Sequence, residues 1–283
     1  MRIAILGARG QLGAAMVAEC SRAHDVAAFA RADLDATSDR AVAETIGRVR
    51  PDAIVNCAAY NHVDAAEDHP IDALETNAFA VRALAAAADS CGAILVHYGS
   101  DFVFDGTAHR PYTEEDRPNP RGTYAASKLL GEWFALDAPR AYVLRVESLF
   151  GFVTAATHKG SVAAILKTLE AGGTAKVFED RTVSPSYIFD VSRATRELLE
   201  KQAPPGVYHC VNSGSCTWLE LARELARAAG LEPRLEAVKM ADVPLRAPRP
   251  RYCALSNEKL AAVGIVMPTW QDAIARYVAA GRS

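Results

Sequence analysis

Residues 2–13 read RIAILGARGQLG: an apolar run ending at Leu6, glycines at positions 7, 10 and 13, then the start of an apolar helical pattern. A short, continuously apolar run bounded by a turn signal reads as a strand covered on both faces. Glycine turns the chain tightly and lets backbone approach a ligand, while the helix after it offers unpaired N–H groups and a positive dipole end. The spacing is G-x-x-G-x-x-G rather than the narrower G-x-G-x-x-G. With a strand before it and a helix after it, the turn reads as the pyrophosphate cradle of a dinucleotide site, with Gly7, Gly10, Gln11 and Leu12 as its contacts.

Outward from this turn, β-branched runs alternate with helical patterns. Residues 2–6, 26–30, 53–57, 94–98 and 141–146 read as strands, and helices begin near Gln11, Ser38, Ile71 and Thr123. That alternation predicts an α/β protein with a Rossmann-type doubly wound parallel sheet. After Gly151 the regularity breaks into helical stretches at 161–170, 190–201 and 217–229, the last closed by Gly230. Pro244, Pro248, Pro250 and Pro268 interrupt the chain beyond Gly230, and Thr269 with Asp272 then opens a final helix. The expected division is a dinucleotide-binding domain over 1–147, also drawing on 182–204, and a smaller C-terminal substrate-binding lobe over 148–283. The active cleft is expected between them.

Composition narrows the function. With 50% hydrophobic residues the chain can bury a sizeable core, and a net charge of -3 provides no basic field for nucleic acid. Six cysteines are scattered without a C-x-x-C pair, as reduced thiols are, and no apolar run reaches the length of a membrane span. The apolar start is too short for a signal sequence. A cytoplasmic protein without membrane or nucleic-acid partners is the expectation, and no metal-ligand spacing is visible.

The second strand, where an acid would hold the ribose 2′-hydroxyl of NAD, ends in Ala30 and Arg31. A cation there suits the 2′-phosphate of NADPH. Asp33 remains the alternative, as the ribose acid of an NADH enzyme, and Asp35 is placed at the adenine edge. The third strand runs into Cys57, Ala58 and Ala59, small enough for the cofactor to pass over the strand end. Asn77 lies mid-helix, where its poor propensity points either to a backbone or water contact or to simple exposure. It is included among the cofactor candidates.

Strand four ends in HYGSDFVFDG and the next helix carries YAASK. Ser100, Tyr124 and Lys128 thereby reach the carboxyl edge of the sheet, where such sheets bind ligands. Tyr124 and Lys128 are four residues apart on one helix face, so the ammonium is expected to favour the phenolate and bring the tyrosine toward neutrality. With nine tyrosines and seven lysines, roughly 0.2 such pairs arise by chance, so position rather than the pair carries the reading. In carbonyl reduction Tyr124 would protonate the oxygen, Ser100 would hydrogen-bond it, and Lys128 would also hold the nicotinamide ribose.

The segments GARGQLG, NCAAYNHVDAAE, GSDFVFDG, YAASK and RPRYCALSNEKL, in this order from Met1 to about Lys259, resemble those of the extended short-chain dehydrogenases/reductases, most closely the dTDP-4-dehydrorhamnose reductase family. The resemblance implies NADPH- or NADH-dependent reduction of a 4-keto nucleotide sugar by Ser100, Tyr124 and Lys128, often in a magnesium-dependent homodimer. Asp101, Val103 and Glu147 are the candidates beside the sugar, and Arg249 in the RPR segment is either the contact to the substrate diphosphate, with Arg251 as substitute, or an ordinary surface-loop charge. The chain departs from the family where R-T-S-W-V-Y-G becomes RVESLFG, so Glu147 and Ser148 replace Ser and Trp. The usual Asn-Phe pair is also missing around Lys159–Val162. Glu147 is expected either to meet the ligand or to pair with Arg145 or Lys159; the site either accepts a more hydroxylated or amino-bearing sugar or rebuilds the lost aromatic wall from elsewhere, for example with Phe152 or Tyr187. Two rivals remain. One is a cofactor-binding regulatory subunit resembling that of methionine adenosyltransferase. The other is a sugar-nucleotide epimerase or dehydratase, weakened because Phe102 follows Asp101 where a dehydratase carries Glu.

Overall fold

The computed structural model describes residues 1–281, and its elements keep the alternation of strand and helix expected from the sequence. In chain order they begin β1 (Arg2–Leu6), α1 (Gln11–Cys20), β2 (Asp25–Phe29), α2 (Asp39–Val49) and β3 (Ala53–Asn56). Then come α3 (Ala65–Asp68), α4 (Pro70–Leu74), a π-helical turn (Glu75–Phe79), α5 (Ala80–Cys91), β4 (Ile94–Ser100), α6 (Thr123–Leu136) and β5 (Ala141–Val146). The remainder is β6 (Leu149–Phe150), α7 (Ser161–Glu170), β7 (Ala175–Phe178), β8 (Thr182–Val183), β9 (Ser186–Tyr187) and α8 (Ile188–Lys201). Beyond it lie β10 (Gly206–His209), β11 (Cys216–Thr217), α9 (Trp218–Ala229), β12 (Leu235–Val238), α10 (Glu258–Ala262) and α11 (Trp270–Gly281).

The central sheet has the order β10-β5-β4-β3-β1-β2 and every pairing is parallel. Because side chains alternate across a strand, β1 sends Ile3 and Ile5 to one face and Ala4 and Leu6 to the other. The first pair packs with Leu12, Met16, Val191 and Leu198 of α1 and α8, the second with Val42, Ile46, Val81 and Leu84 of α2 and α5. Burial on both faces explains why the strands read as unbroken apolar runs. Chain order reverses between β1 and β3, so a crevice opens at the carboxyl ends of these strands.

A second core is built on α7, α9 and α11 around Leu166, Leu221, Leu225, Ile274 and Tyr277. Helix α9 opens with a capping box in which Thr217 and Glu220 satisfy each other's backbone N–H groups, and it ends at Gly230 in the left-handed region. Strand β10 was not expected: GVYH comes after Pro204 and Pro205 and is too short for a periodic signal. It nevertheless pairs with β5, so the sheet takes a strand from beyond both 147 and 204. No helix among the described residues is long and apolar enough to cross a membrane.

Candidate active site

A cleft of about 950 Å³ runs along the carboxyl edge of the sheet, from the glycine turn to the starts of α7 and α9. At its floor Gly7 has φ +71°, and a Cβ there would lie 2.7 Å from Ala58 N and 2.8 Å from the Cys57 carbonyl carbon. A side chain is thus excluded by both conformation and space. Gly10 sits at the N-cap of α1, which has no side-chain cap, leaving the N–H groups of the first turn available to an anion. This cradle, which a Cβ would fill, fits a dinucleotide pyrophosphate. Gln11 Nε2 donates to Gly151 O at 2.7 Å, tying the turn to the far side of the cleft.

Gly7, Gly10, Gln11, Leu12, Arg31 and Asp35 all line the cleft, as do Cys57, Ala58 and Ala59. Asp33 does not: its carboxylate turns back to accept from Ala30 N at 2.9 Å. Asp35 accepts from both the N–H and the hydroxyl of Thr37, which hold its carboxyl below the usual range, and the Arg31 charge adds a smaller pull. Arg9, in the glycine turn, lines the same end and was missed by sequence reasoning, although its place between two glycines was a usable signal. Asn77 requires correction. It is buried and does not line the cleft; its side chain accepts from Tyr60 N and donates to Tyr60 O and Ser127 Oγ. It braces the loop after β3 against α6, the backbone contact anticipated for a mid-helix Asn, with no direct place at the cofactor.

Ser100 ends β4, where its Oγ accepts from Phe102 N at 3.2 Å and donates to Asp101 Oδ1 at 2.9 Å. Tyr124 stands in the first turn of α6, whose start is capped from a distance: Glu67 accepts from Thr123 N at 2.7 Å and from its hydroxyl at 3.2 Å. Lys128 is one turn on. Its ammonium donates to Tyr98 O at 2.6 Å, so the expected lowering of the phenol is not seen. Burial, with the charge of Asp101 adding, pushes Tyr124 above its ordinary value, the neighbouring Ser100 hydroxyl working the other way; the phenol itself donates to Asn61 Oδ1 at 3.5 Å. Burial lowers Lys128 to about 8, against the opposing charge of Glu132. A phenol held protonated is the form that a carbonyl reduction uses.

On the substrate side, Asp101, Glu147 and Arg249 line the cleft; Val103 does not. Val103 is fully buried with Phe104, Tyr112 and Leu255, because the 3-10 turn after Ser100 points it into a local core. Glu147 pairs with neither Arg145 nor Lys159. Arg145 lies between β4 and α6 in a buried ion pair with Glu132 at 2.8 Å, whereas Glu147 Oε2 accepts from Ser184 N at 2.6 Å. Arg249 is held by Asp64 at 2.7 Å beside the cleft, and Arg251 pairs with Asp180 outside it. Phe152 packs on His158 and Tyr277, and Tyr187 on Phe150, so neither rebuilds the wall. Aromatics that do line this side are Phe102 and Trp218, the latter with a buried Nε1 that has no hydrogen-bond partner.

Among the described residues, Asp101, Glu147 and Cys253 form the group whose atoms are close enough to hold a metal. They do not fit magnesium. Arg181 Nη2 lies 3.8 Å from Asp101 Oδ2 and 3.7 Å from Cys253 Sγ, so a cation already faces them, and a thiol is a poor ligand for so hard an ion.

The whole chain, residues 1–283, matches the family model described as the RmlD substrate binding domain. It is 38% identical to the dTDP-4-dehydrorhamnose reductase of Mycobacterium tuberculosis (strain H37Rv), over 99% of this chain and 93% of that protein. The crystal structure of a dTDP-4-dehydrorhamnose reductase from Clostridium acetobutylicum superposes with a TM-score of 0.95 at 30% identity, covering 100% of both chains. The Bacillus anthracis enzyme, solved in complex with NADP, superposes with a TM-score of 0.93 at 30% identity over 99% of each chain. With the glycine cradle and the Ser100, Tyr124 and Lys128 edge present in that fold, the chain belongs to the dTDP-4-dehydrorhamnose reductase family of extended short-chain dehydrogenases/reductases.

Proposed function

We propose that the protein reduces the 4-keto group of a nucleotide-linked deoxysugar with NADPH, as its relatives named dTDP-4-dehydrorhamnose reductase do. The observation that carries this is the opening of the glycine cradle and the Ser100, Tyr124 and Lys128 edge onto one cleft. When bound, NADPH supplies the hydride. Arg31 and Arg9 are placed for its 2′-phosphate, and Gly7 and Gly10 for the pyrophosphate. Tyr124 gives its phenolic proton to the carbonyl oxygen as the hydride arrives, and Ser100 hydrogen-bonds the same oxygen. Lys128 holds the ribose. Asp101 and Glu147 face the sugar. Arg249, released from Asp64, meets the diphosphate in bidentate fashion.

The cofactor-binding body is read as 1–147 with the later helix and strand that complete its sheet, and the rest as the substrate lobe. The exposed Ile71, Phe79, Trp133 and Leu136, on the α4 to α6 side, are the candidate face of a homodimer. The free thiols of Cys20, Cys57, Cys91, Cys210, Cys216 and Cys253 suit the cytoplasm. The test is steady-state NADPH oxidation with dTDP-4-keto-6-deoxy-L-sugar beside other 4-keto nucleotide sugars. Turnover of one of them establishes the reading and its substrate; NADPH binding without turnover of any favours a regulatory subunit.

A further inference from the structure

Behind Ser100 lie buried charges that the hydride and proton transfers do not use. Asp101 Oδ2 and Glu147 Oε1 are buried and have no hydrogen-bond partner. Ligand atoms of these carboxyls and of the Cys253 thiol all lie within 4.8 Å of one another. With Arg181, the groups come from four places in the fold: the end of β4, the end of β5, the segment before β8 and the loop near residue 253. The titratable groups facing the pair are Arg181, Cys253, Tyr124 of α6, Cys216 of β11 and Tyr252. Arg181 is the cation among them, 3.8 Å from Asp101 Oδ2.

Two carboxylates against one guanidinium leave an uncompensated buried negative charge, and carboxyls this close do not both ionise. One proton restores neutrality. We propose that the Asp101 and Glu147 pair carries one proton, on one carboxyl at a time, and that which of them holds it sets the direction of the Ser100 hydrogen bond, making both carboxyls positioning residues for reduction. The proposal rests on the ketoreductase reading. Burial pushes both carboxyls above their ordinary values, Glu147 the further, with the charge of Asp101 adding to it. The Cys253 thiol is driven well up by the same burial and stays neutral.

When Asp101 is ionised, Ser100 donates to Asp101 Oδ1, the 2.9 Å bond observed, and its proton is not available to a substrate. With the proton on Asp101, the carboxyl donates to Ser100 Oγ and the serine hydroxyl turns toward the cleft. In the change the O–H bond on Glu147 breaks and one on Asp101 forms, and the Ser100 hydrogen bond reverses; no bond between heavy atoms changes. Phe102 N donates to Ser100 Oγ in either state. Glu147, standing where the family carries serine, therefore matters by supplying the second negative charge that keeps a proton in the pair.

Removing either carboxyl leaves one carboxylate opposite one guanidinium, neutral without a proton. Infrared difference spectra of the full-length protein near neutral pH should accordingly show the C=O stretch of a protonated carboxyl, lost in both Glu147→Gln and Asp101→Asn. In Glu147→Gln the ionised Asp101 keeps the serine proton, so kcat should fall by about 10²-fold, the loss typical of one oxyanion donor. Affinity for NADPH should stay within error. The alkaline fall in kcat due to the pair should disappear in Asp101→Asn, because the amide donates to Ser100 at every pH. A carboxyl band missing from the wild type, or surviving both substitutions, overturns the proposal, as does an unaltered pH profile in Asp101→Asn. If the band behaves as expected but no 4-keto sugar is turned over, the pair stands and the reaction assigned to the site fails.

Discussion

Replacing Gly13 by alanine tests whether the glycine turn is set by close packing as well as by the ligand it serves. The new Cβ would lie 2.1 Å from Gly7 O, 2.8 Å from the Gly7 carbonyl carbon and 3.0 Å from Ala8 Cα. All three are backbone atoms of the cradle, so nothing can rotate away. Ordinary contact starts near 3.4 Å, so the helix and turn must part by about 1.3 Å. Overpacking of this kind costs about 1–3 kcal/mol, and unyielding backbone puts the cost at the upper end. Alanine returns about 1 kcal/mol of helix propensity, leaving a net loss of about 2 kcal/mol. For a chain of this size that is a fall in Tm of about 4–8 °C. Because the atoms displaced form the pyrophosphate cradle, NADPH affinity should drop at least about tenfold, or about 1.4 kcal/mol. Gly47→Ala is the control: it lies in α2 with nothing within 4 Å of the new Cβ, and should stabilise by about 0.5–1 kcal/mol with NADPH binding unaltered. Thermal melts with fluorescence titration of NADPH measure both. A Gly13→Ala protein that melts at the wild-type temperature and binds NADPH equally well would refute the reasoning.

Tyr124→Phe should lower kcat by about 10²–10⁴-fold with NADPH affinity nearly intact, because only the proton donor is removed; single-turnover NADPH oxidation measures it, and unchanged turnover would rule out Tyr124 as donor. Arg31→Ala should erode the preference for NADPH over NADH, with Arg9→Ala adding to the loss, since each removes a cation from the 2′-phosphate; an unchanged ratio of kcat/KM for the two cofactors in the double variant would exclude both. Lys128 falls to about 8 in the fold against about 10.4 in an unfolded chain, so the unfolded state binds more protons between these values and stability should rise with pH across that window. Lys128→Met should flatten that rise in urea melts taken from about pH 7.5 to about pH 10.5, and identical slopes in the two proteins would contradict it.

The elements that sequence reading placed best are those whose local pattern and burial agree. β1 and β5 are buried on both faces almost throughout, so their apolar runs begin and end where the strands do. Helix α7, at Ser161–Glu170, carries its apolar residues at helical spacing, with Val162, Ile165, Leu166 and Leu169 buried. β10 lacked such agreement. Its four residues gain their place from pairing with β5, a contact across more than sixty positions of chain that no local window contains.

The same distinction orders the site. Residues whose position is fixed by the backbone were legible in their placement: the glycines by the turn they make, and Ser100, Tyr124 and Lys128 by a strand end and one helix face that line one cleft. Residues whose role depends on which way a side chain turns were not. Val103 shares a segment with Ser100 yet points into a local core, and Glu147 lies two positions after Arg145 yet meets none of its partners. The two belong to different surroundings because β5 delivers Arg145 under β4, toward Glu132, while the chain beyond Val146 leaves the sheet and carries Glu147 to Asp101 and Arg181. What sequence spacing could not supply at Glu147 was therefore its partner. That partner decides its chemistry: beside Arg145 it would be an ordinary ionised carboxylate, whereas beside Asp101, with a single guanidinium between them, it must share or hold a proton.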